Sequence, residues 1–255
     1  MNATAQKKNL SDDKNTIIEP KKVFITFGGG KQTFIDAGNR LINQVKKTNY
    51  FDKLILYTDE DLKKDKIFWD KHKSFIENNK RGYGYWLWKP YIIKKTMENM
   101  NNGDILLYLD CGCEIGGKKQ KNLPKFFDLV KKDKIICTKT GHCEKNWVKR
   151  DLLVLLDLED SKFIKTQQYQ AGVVMYYICN MTRTIIDFWY NIGNNYHMID
   201  DSPSIKQNYN CFIEHRHDQS IFSLLIKKYN ILSNKFLNEC VYISRNKRGK
   251  SIYGF

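Results

Sequence analysis

Asp104-Ile-Leu-Leu-Tyr-Leu-Asp110, preceded by Gly103 and followed by Cys111-Gly112-Cys113-Glu114, decides the fold class. A short continuous apolar run bracketed by glycines reads as a strand buried on both faces, the kind found in sheets covered by helices. Val23-Phe-Ile-Thr-Phe27 ends at Gly28-Gly-Gly30, and Phe34, Ala37, Leu41, Ile42 and Val45 then recur at helical spacing. Leu54-Ile-Leu-Tyr57 runs into Thr58-Asp-Glu-Asp61, an acidic cluster suited to a strand end and a helix start. Strands alternating with helices predict an α/β domain, Rossmann-like, with a mainly parallel central sheet flanked by helices. Ligands of such sheets bind beyond the carboxyl ends of the strands.

Working outward, Arg81-Gly-Tyr-Gly-Tyr-Trp-Leu-Trp-Lys-Pro90 is a glycine-punctuated aromatic loop, and Pro90 is placed to open a helix carrying Ile92, Ile93, Thr96, Met97 and Met100. Lys134-Ile-Ile-Cys137 and Gly172-Val-Val-Met-Tyr-Tyr-Ile178 read as further strands. Residues 182–192 and 218–229 read as helices, the second with Asp218 as its cap. No repeat or linker divides the chain, so a single domain over residues 21–255 is expected. Residues 1–20 are polar and aperiodic and read as a flexible N-terminal tail.

Composition narrows the function. The 255 residues are 42% hydrophobic, enough for one sizeable core. No apolar run approaches the roughly 18–20 residues that cross a bilayer, and no secretory signal opens the chain, so a soluble cytoplasmic protein is expected. Seven scattered cysteines, an odd number without a Cys-x-x-Cys pair, read as reduced thiols and not as a disulfide framework or zinc site. A net charge of +15 favours a polyanionic partner: nucleic acid, a membrane surface or the phosphates of a nucleotide. The lysines are spread along the chain without a nucleic-acid-binding motif, which argues against dedicated nucleic-acid binding. Gly28-Gly-Gly-Lys31-Gln-Thr33 lacks both phosphate-loop and dinucleotide spacing, which argues against a kinase, an ATPase or a dehydrogenase.

The chemistry-bearing residues cluster in four places. Asp110 just past a buried strand, with Gly112 after it, can reach a divalent cation while backbone approaches a diphosphate. Glu114 reads as a second acidic ligand, an acceptor for a sugar hydroxyl, or a solvated side chain. In the aromatic loop Tyr83, Tyr85, Trp86 and Trp88 offer ring faces and Arg81 and Lys89 offer cations for phosphate, with one tryptophan expected in the core and one in the site. Glu144 to Asp151, then Gln167, Gln168 and Gln170, supply charged and amide groups suited to hydroxyls, Asp151 and Gln170 foremost. His215-Arg-His217-Asp218-Gln219 places two imidazoles where one can join Asp110 on a metal, while Asp218 faces substrate or caps its helix.

Together these segments resemble glycosyltransferases of the GT-A fold. They are more closely similar to viral and bacterial sugar transferases with a Gly-Tyr-Gly-Tyr-Trp-x-Trp-Lys-Pro loop, a group that includes a chlorovirus rhamnosyltransferase domain. The resemblance runs from Val23 to Tyr229. It implies a manganese or magnesium ion (Mn2+ or Mg2+) held on an Asp-x-Asp motif, whose first acid Asp110 matches and whose second is replaced by Gly112. The implied metal set is therefore Asp110 with His215 or His217, and Cys111 and Gly112 line the diphosphate. By the same resemblance Thr26, Phe27 and Asp59 surround the base and ribose, and Gln170 and His217 lie by the sugar; Gly28, on the glycine turn, reads as letting backbone pass close to a nucleotide. The implied reaction moves a hexosyl or deoxyhexosyl group from a nucleotide-diphosphate donor, a UDP-sugar, to a hydroxyl of a glycan or other acceptor. Asp151 and Asp218 are the candidates for touching sugar or acceptor, and the resemblance allows a virus-encoded protein acting in the host cell or packaged in the virion. A nucleotidyl or phosphoryl transferase and a non-catalytic carbohydrate- or nucleic-acid-binding protein are the competing readings.

Overall fold

The structure, a computed structural model, describes residues 19–159 and 162–255. The expected tail over 1–20 thus lies outside the described residues except for Glu19 and Pro20. In chain order the elements are β1 (Lys22–Phe27), α1 (Gln32–Thr48), β2 (Lys53–Tyr57), α2 (Asp59–Lys64), α3 (Lys66–Asn78), α4 (Gly82–Tyr85), α5 (Trp88–Glu98) and β3 (Ile105–Leu109). They continue with α6 (Leu123–Asp133), β4 (Ile135–Cys143), α7 (Glu144–Trp147), α8 (Arg150–Leu155), β5 (Gln167–Tyr177), α9 (Asn180–Gly193) and α10 (His217–Lys228).

The five strands form one sheet in the order β2-β1-β3-β5-β4, with β1 parallel to both β2 and β3, and β5 antiparallel to both β3 and β4. Four strands therefore share a direction, as expected, and β5 returns against them. A buried apolar run looks the same read either way, so the direction of β5 is not written in its own residues. Its consequence is local to the site: the start of β5 lies beside the end of β3.

Alternation along the strands feeds two cores. Val23, Ile25, Leu106, Tyr108, Val174 and Tyr176 face α3, α5, α9 and α10. Phe24, Ile105, Leu107, Leu109 and Met175 face Leu41 and Val45 of α1 and Phe126 and Val130 of α6. The acidic cluster after β2 is a capping box: the Thr58 N–H donates to Asp61 Oδ2 at 2.8 Å, and the Thr58 side chain accepts from the Asp61 backbone in turn, fixing the start of α2. Between β4 and β5 the register jumps from Cys137↔Val174 to Lys139↔Tyr169, so Gln170 to Val173 form a bulge on β5 opposite β4. Bulges re-aim backbone near sites. Here the bulge brings Gly172 against Asp110.

Candidate active site

Asp110 follows β3 directly, its N–H donating to Gly172 O at 2.8 Å while the Cys113 N–H closes a turn onto its carbonyl at 2.9 Å. The Tyr108 hydroxyl donates to Asp110 Oδ1 at 2.6 Å. Oδ2 faces Gly172, where a Cβ atom would lie 2.2 Å away. Only glycine leaves room for the carboxylate. Its side chain is 46% exposed, so Oδ2 is open to a ligand.

Lys89 lies behind it, 4% exposed, with Nζ 3.4 Å from Asp110 Oδ1 and 2.9 Å from Asp218 Oδ2. The contact to Asp218 is an ion pair without an aligned hydrogen bond. Burying an ammonium costs several kcal/mol, and one unit charge at about 4 Å returns about 4 kcal/mol at protein-like polarisability. A single carboxylate would only match the cost, and the second tips it. Burial works to lower the Lys89 pKa, yet Asp110 and Asp218 outweigh it and the ammonium titrates above its ordinary value. Burial dominates at Asp218, whose carboxyl is pushed up to about 6 despite Lys89. Asp218 does not cap α10, as the sequence suggested. Arg216 holds that position, and Asp218 sits in the first turn with its side chain turned inward to Lys89.

The aromatic loop is wound the wrong way for L-residues. Gly82, Tyr83, Gly84, Tyr85 and Trp86 all have φ between 53° and 83°, so α4 is a left-handed turn. Each non-glycine residue there costs about 1–2 kcal/mol, and such turns persist only where packing over-determines them. That packing is visible: Trp88 stacks on Phe27 at 3.7 Å and donates its Nε1–H to Gly82 O at 2.9 Å, and Tyr85 stacks on His217 at 4.7 Å. Trp88 is buried in the core, and Trp86 is half-buried against it. Lys89 follows immediately, so the strained loop fixes where its ammonium goes.

The implied metal set is not assembled. Among the described residues no group of three His, Cys, Asp or Glu side chains converges on a point. His215 accepts the Lys149 N–H on Nδ1 and donates from Nε2 to Met198 O, so neither ring nitrogen is left for an ion. His217 donates from Nδ1 to Ile199 O, and its buried Nε2 makes no hydrogen bond and faces Asp201 at 3.6 Å. The chain's fit to a divalent cation is thus one free oxygen, Asp110 Oδ2. That suffices only for an ion carried on substrate phosphates, since magnesium sites of this kind need one or two carboxylates with phosphate and water.

Other expected residues have different work. Asp151 is not free to touch a substrate: it accepts the Ile205 N–H at 2.7 Å, the Lys206 N–H at 2.8 Å and the His197 ring at 2.7 Å, clamping the segment that carries Asp201. Burial would raise its pKa, but these donors hold the carboxyl below its ordinary value. Glu114 is neither ligand nor solvated; it is fully buried and accepts from Gln44, Asn246, Ser251 and the Ile252 N–H. Phe27 spends its ring on Trp88, and Gly28 packs on the start of α1, where a Cβ would meet Phe34 O at 2.5 Å. Thr26 is buried with its hydroxyl unpartnered. Asp59 pairs with Lys63, and Arg81 bridges Asp201 at 3.2 Å and Glu214 at 3.4 Å. Gln170 stands on the bulge, half-buried.

Sequence reading missed a whole component. Arg40, buried in α1, donates to Cys111 O, Cys113 O, Asn246 O and Arg248 O at 2.7–3.1 Å, tying the turn after Asp110 to the C-terminal segment. The Asn246 N–H donates to Gly112 O at 2.9 Å, and a Cβ on Gly112 would lie 3.1 Å from Arg245 Cα. The place of a second acid is therefore filled by a strap, Arg245-Asn-Lys-Arg-Gly-Lys250, whose basic run was the only signal.

No protein-family model and no curated relative matches the sequence. Among solved structures the chain is similar to mouse xyloside xylosyltransferase 1, apo form, at 10% identity and a TM-score of 0.44 over 83% of each chain. It is similar to a glycosyltransferase involved in glycosylation of the major capsid of PBCV-1, at 14% identity and a TM-score of 0.39 over 69% of this chain and 67% of the other. The third, the apo bifunctional WbbM glycosyltransferase, is 11% identical with a TM-score of 0.44 over 84% of this chain, which spans 38% of WbbM. Similarity this distant carries no functional weight.

Proposed function

We propose that the chain transfers a sugar from a nucleotide-diphosphate donor, a UDP-sugar in the first instance, to a hydroxyl of a glycan or related acceptor. The observation that supports this most is Lys89, buried between the open carboxylate Asp110 and the enclosed Asp218 at the carboxyl ends of parallel strands. A fixed cation there meets the charge that develops on a diphosphate as its bond to the sugar breaks. Asp110 Oδ2 orients the donor, and Trp86 and Tyr83 offer ring surface beside it. An ion arriving on the donor phosphates would be held by Asp110 and would neutralise part of the same charge.

Asp218, enclosed behind Lys89, sets where the ammonium points and acts through it. Burial pushes its carboxyl up to about 6, with Lys89 pulling the other way, so the pair is fully charged only above that value. Asp151 is withdrawn from the catalytic set because its oxygens are spent on the clamp. The test is release of nucleotide from a panel of nucleotide sugars with added manganese, alongside Asp110→Ala and Lys89→Met. Turnover of at least one donor, lowered about 100-fold or more in both variants, is expected. Equal turnover in the wild type and Asp110→Ala would sink the reading.

A further inference from the structure

Two basic stretches that lie far apart in sequence are joined by the fold. Residues 115–127 carry Lys118, Lys119, Lys121 and Lys125 and no acid, and residues 240–255 carry Arg245, Lys247, Arg248 and Lys250 and no acid. Glu114 and Tyr242 exchange both backbone hydrogen bonds at 2.9 Å. Lys119 Nζ donates to Asn238 O at 2.8 Å and lies 4.5 Å from the centre of the Tyr242 ring. Phe255 packs on Gly116 and Gly117, where added Cβ atoms would lie 2.3 Å and 3.0 Å from its ring. The acids bordering the stretches are Glu114, which is buried, Glu239, and Asp36 beside Gly249. Eight cations therefore stand against two acids that water can reach.

The junction between the stretches is apolar and open. Tyr242, Tyr253 and Phe255 cluster with ring centroids 4.5–5.5 Å apart. Ile252 and Tyr253 are 53% and 47% exposed. They do not hang loose. The Ser251 hydroxyl donates to Glu114 and accepts the N–H groups of Tyr253 at 3.1 Å and Phe255 at 3.2 Å, and Asn246 Nδ2 donates to Lys250 O at 2.9 Å. Contacts of the same kind place the cations beside the rings: Lys119 by its ammonium over Tyr242, Lys118 by its neighbour Gly117 against Phe255, and Lys250 by its neighbour Ser251 on Glu114. One exposed apolar side chain is ordinary, but a fixed group of them bordered by lysines is an arranged surface.

We propose that this face, Ile252, Tyr253 and Phe255 with Lys118, Lys119 and Lys250 around them, docks on the surface of an anionic lipid bilayer. A bilayer surface takes both halves of the arrangement: aromatic and aliphatic tips settle at headgroup level while lysines meet the lipid phosphates and carboxylates. A nucleic acid or an acidic glycan would use the lysines and leave Ile252 in water. Toward a dissolved donor the charges act at a distance, and toward a flat anionic surface they act by contact. Gly116, on which Phe255 packs, is six residues from Asp110, so chain reach holds the site within about 22 Å of the docking face. The docking itself does not rest on the transfer reading.

Sedimentation of the full chain with lipid vesicles at physiological ionic strength tests this. Binding is expected to phosphatidylcholine vesicles containing about one-third phosphatidylserine and not to phosphatidylcholine alone. Ile252→Ser combined with Tyr253→Ser should weaken binding about tenfold, and Lys118→Gln combined with Lys250→Gln about twentyfold, each with circular dichroism unchanged. No sedimentation with the anionic vesicles, or equal sedimentation with phosphatidylcholine alone, would overturn the proposal, and this wild-type comparison stands without either variant. A folded variant of either kind that binds like the wild type would overturn it as well. Binding that depends on the lysines and ignores Ile252 and Tyr253 is contact through charge alone, and would assign the face to a polyanion such as heparin or duplex DNA instead of a bilayer.

Discussion

At the scale of single residues the site depends on charge held where water cannot screen it. Asp218 carries a carboxyl raised to about 6, so it ionises as pH rises through that value and only then pairs fully with Lys89. Turnover should therefore rise with pH through about 6, and Asp218→Asn should flatten that limb in a kcat profile. Unfolding does not explain such a limb. A carboxyl whose pKa is higher folded than unfolded takes up its proton preferentially in the folded state, so this group gains stability as pH falls through about 6. A melting temperature that drops in parallel with kcat would contradict the assignment. Gly172 gives the steric counterpart: alanine there would place Cβ 2.2 Å from Asp110 Oδ2 and 2.8 Å from its Cγ. Gly172→Ala should lose activity about 100-fold, as displaced catalytic groups do, with circular dichroism unchanged. Gly112→Asp, which rebuilds the acid that the resemblance leads one to expect, should create no metal site and should cost about 1–3 kcal/mol by pushing on the Arg245 backbone.

At the scale of elements, two segments without regular structure are held as firmly as strands. Glu114 anchors the strap and the residues after it through three donors, Asn246, Ser251 and the Ile252 N–H, and takes a fourth from Gln44 of α1. Burial would raise its pKa, but Ser251, Asn246 and Gln44 prevail and hold it below the ordinary value, so its contribution is present at neutral pH and is lost as pH falls through that lowered value. Glu114→Gln should release the strap at pH 7, seen as new tryptic cleavage at Arg245 and Arg248 without a change in the bulk of the fold. Asp151→Asn should do the same to the segment 200–210, at about 1–3 kcal/mol, with kcat reduced less than in Asp218→Asn. Cleavage confined to wild-type sites would show that these anchors are redundant. These anchors also explain what could be read beforehand. The strand runs, α1, α5, α9 and α10 announce themselves through apolar spacing, and Asp110, Lys89 and Asp218 stand out as polar groups at their ends. Asp151 and Glu114 look like site acids in sequence because their partners, backbone N–H groups of 205, 206 and 252, have no identity to read. The docking of the strap was hidden for the same reason, its basic run aside: it pairs through carbonyls, chiefly to Arg40, some two hundred residues away.

At the scale of the whole molecule the excess of basic residues acts through distance and not through contact. The net charge of +15 is spread over the chain, and the strap whose backbone packs on Gly112 carries four exposed cations, Arg245, Lys247, Arg248 and Lys250, while the buried charges of the site are paired. Such a field raises the encounter rate and local concentration of an anionic donor, but cannot lower the barrier for a molecule already bound. It is also screened beyond about 10 Å at 0.1 M salt. The expected signature is a kcat/KM for the nucleotide sugar that falls several-fold between low and physiological ionic strength while kcat stays constant. Substituting Lys247, Arg248 and Lys250 together by glutamine should reproduce the low end of that range without added salt. Duplex DNA, offered as a polyanion of another shape, should compete at low salt, without sequence preference, and lose its hold by physiological ionic strength. DNA binding that survives there would point to a contact surface instead of a field, because only paired, partly desolvated charges escape screening.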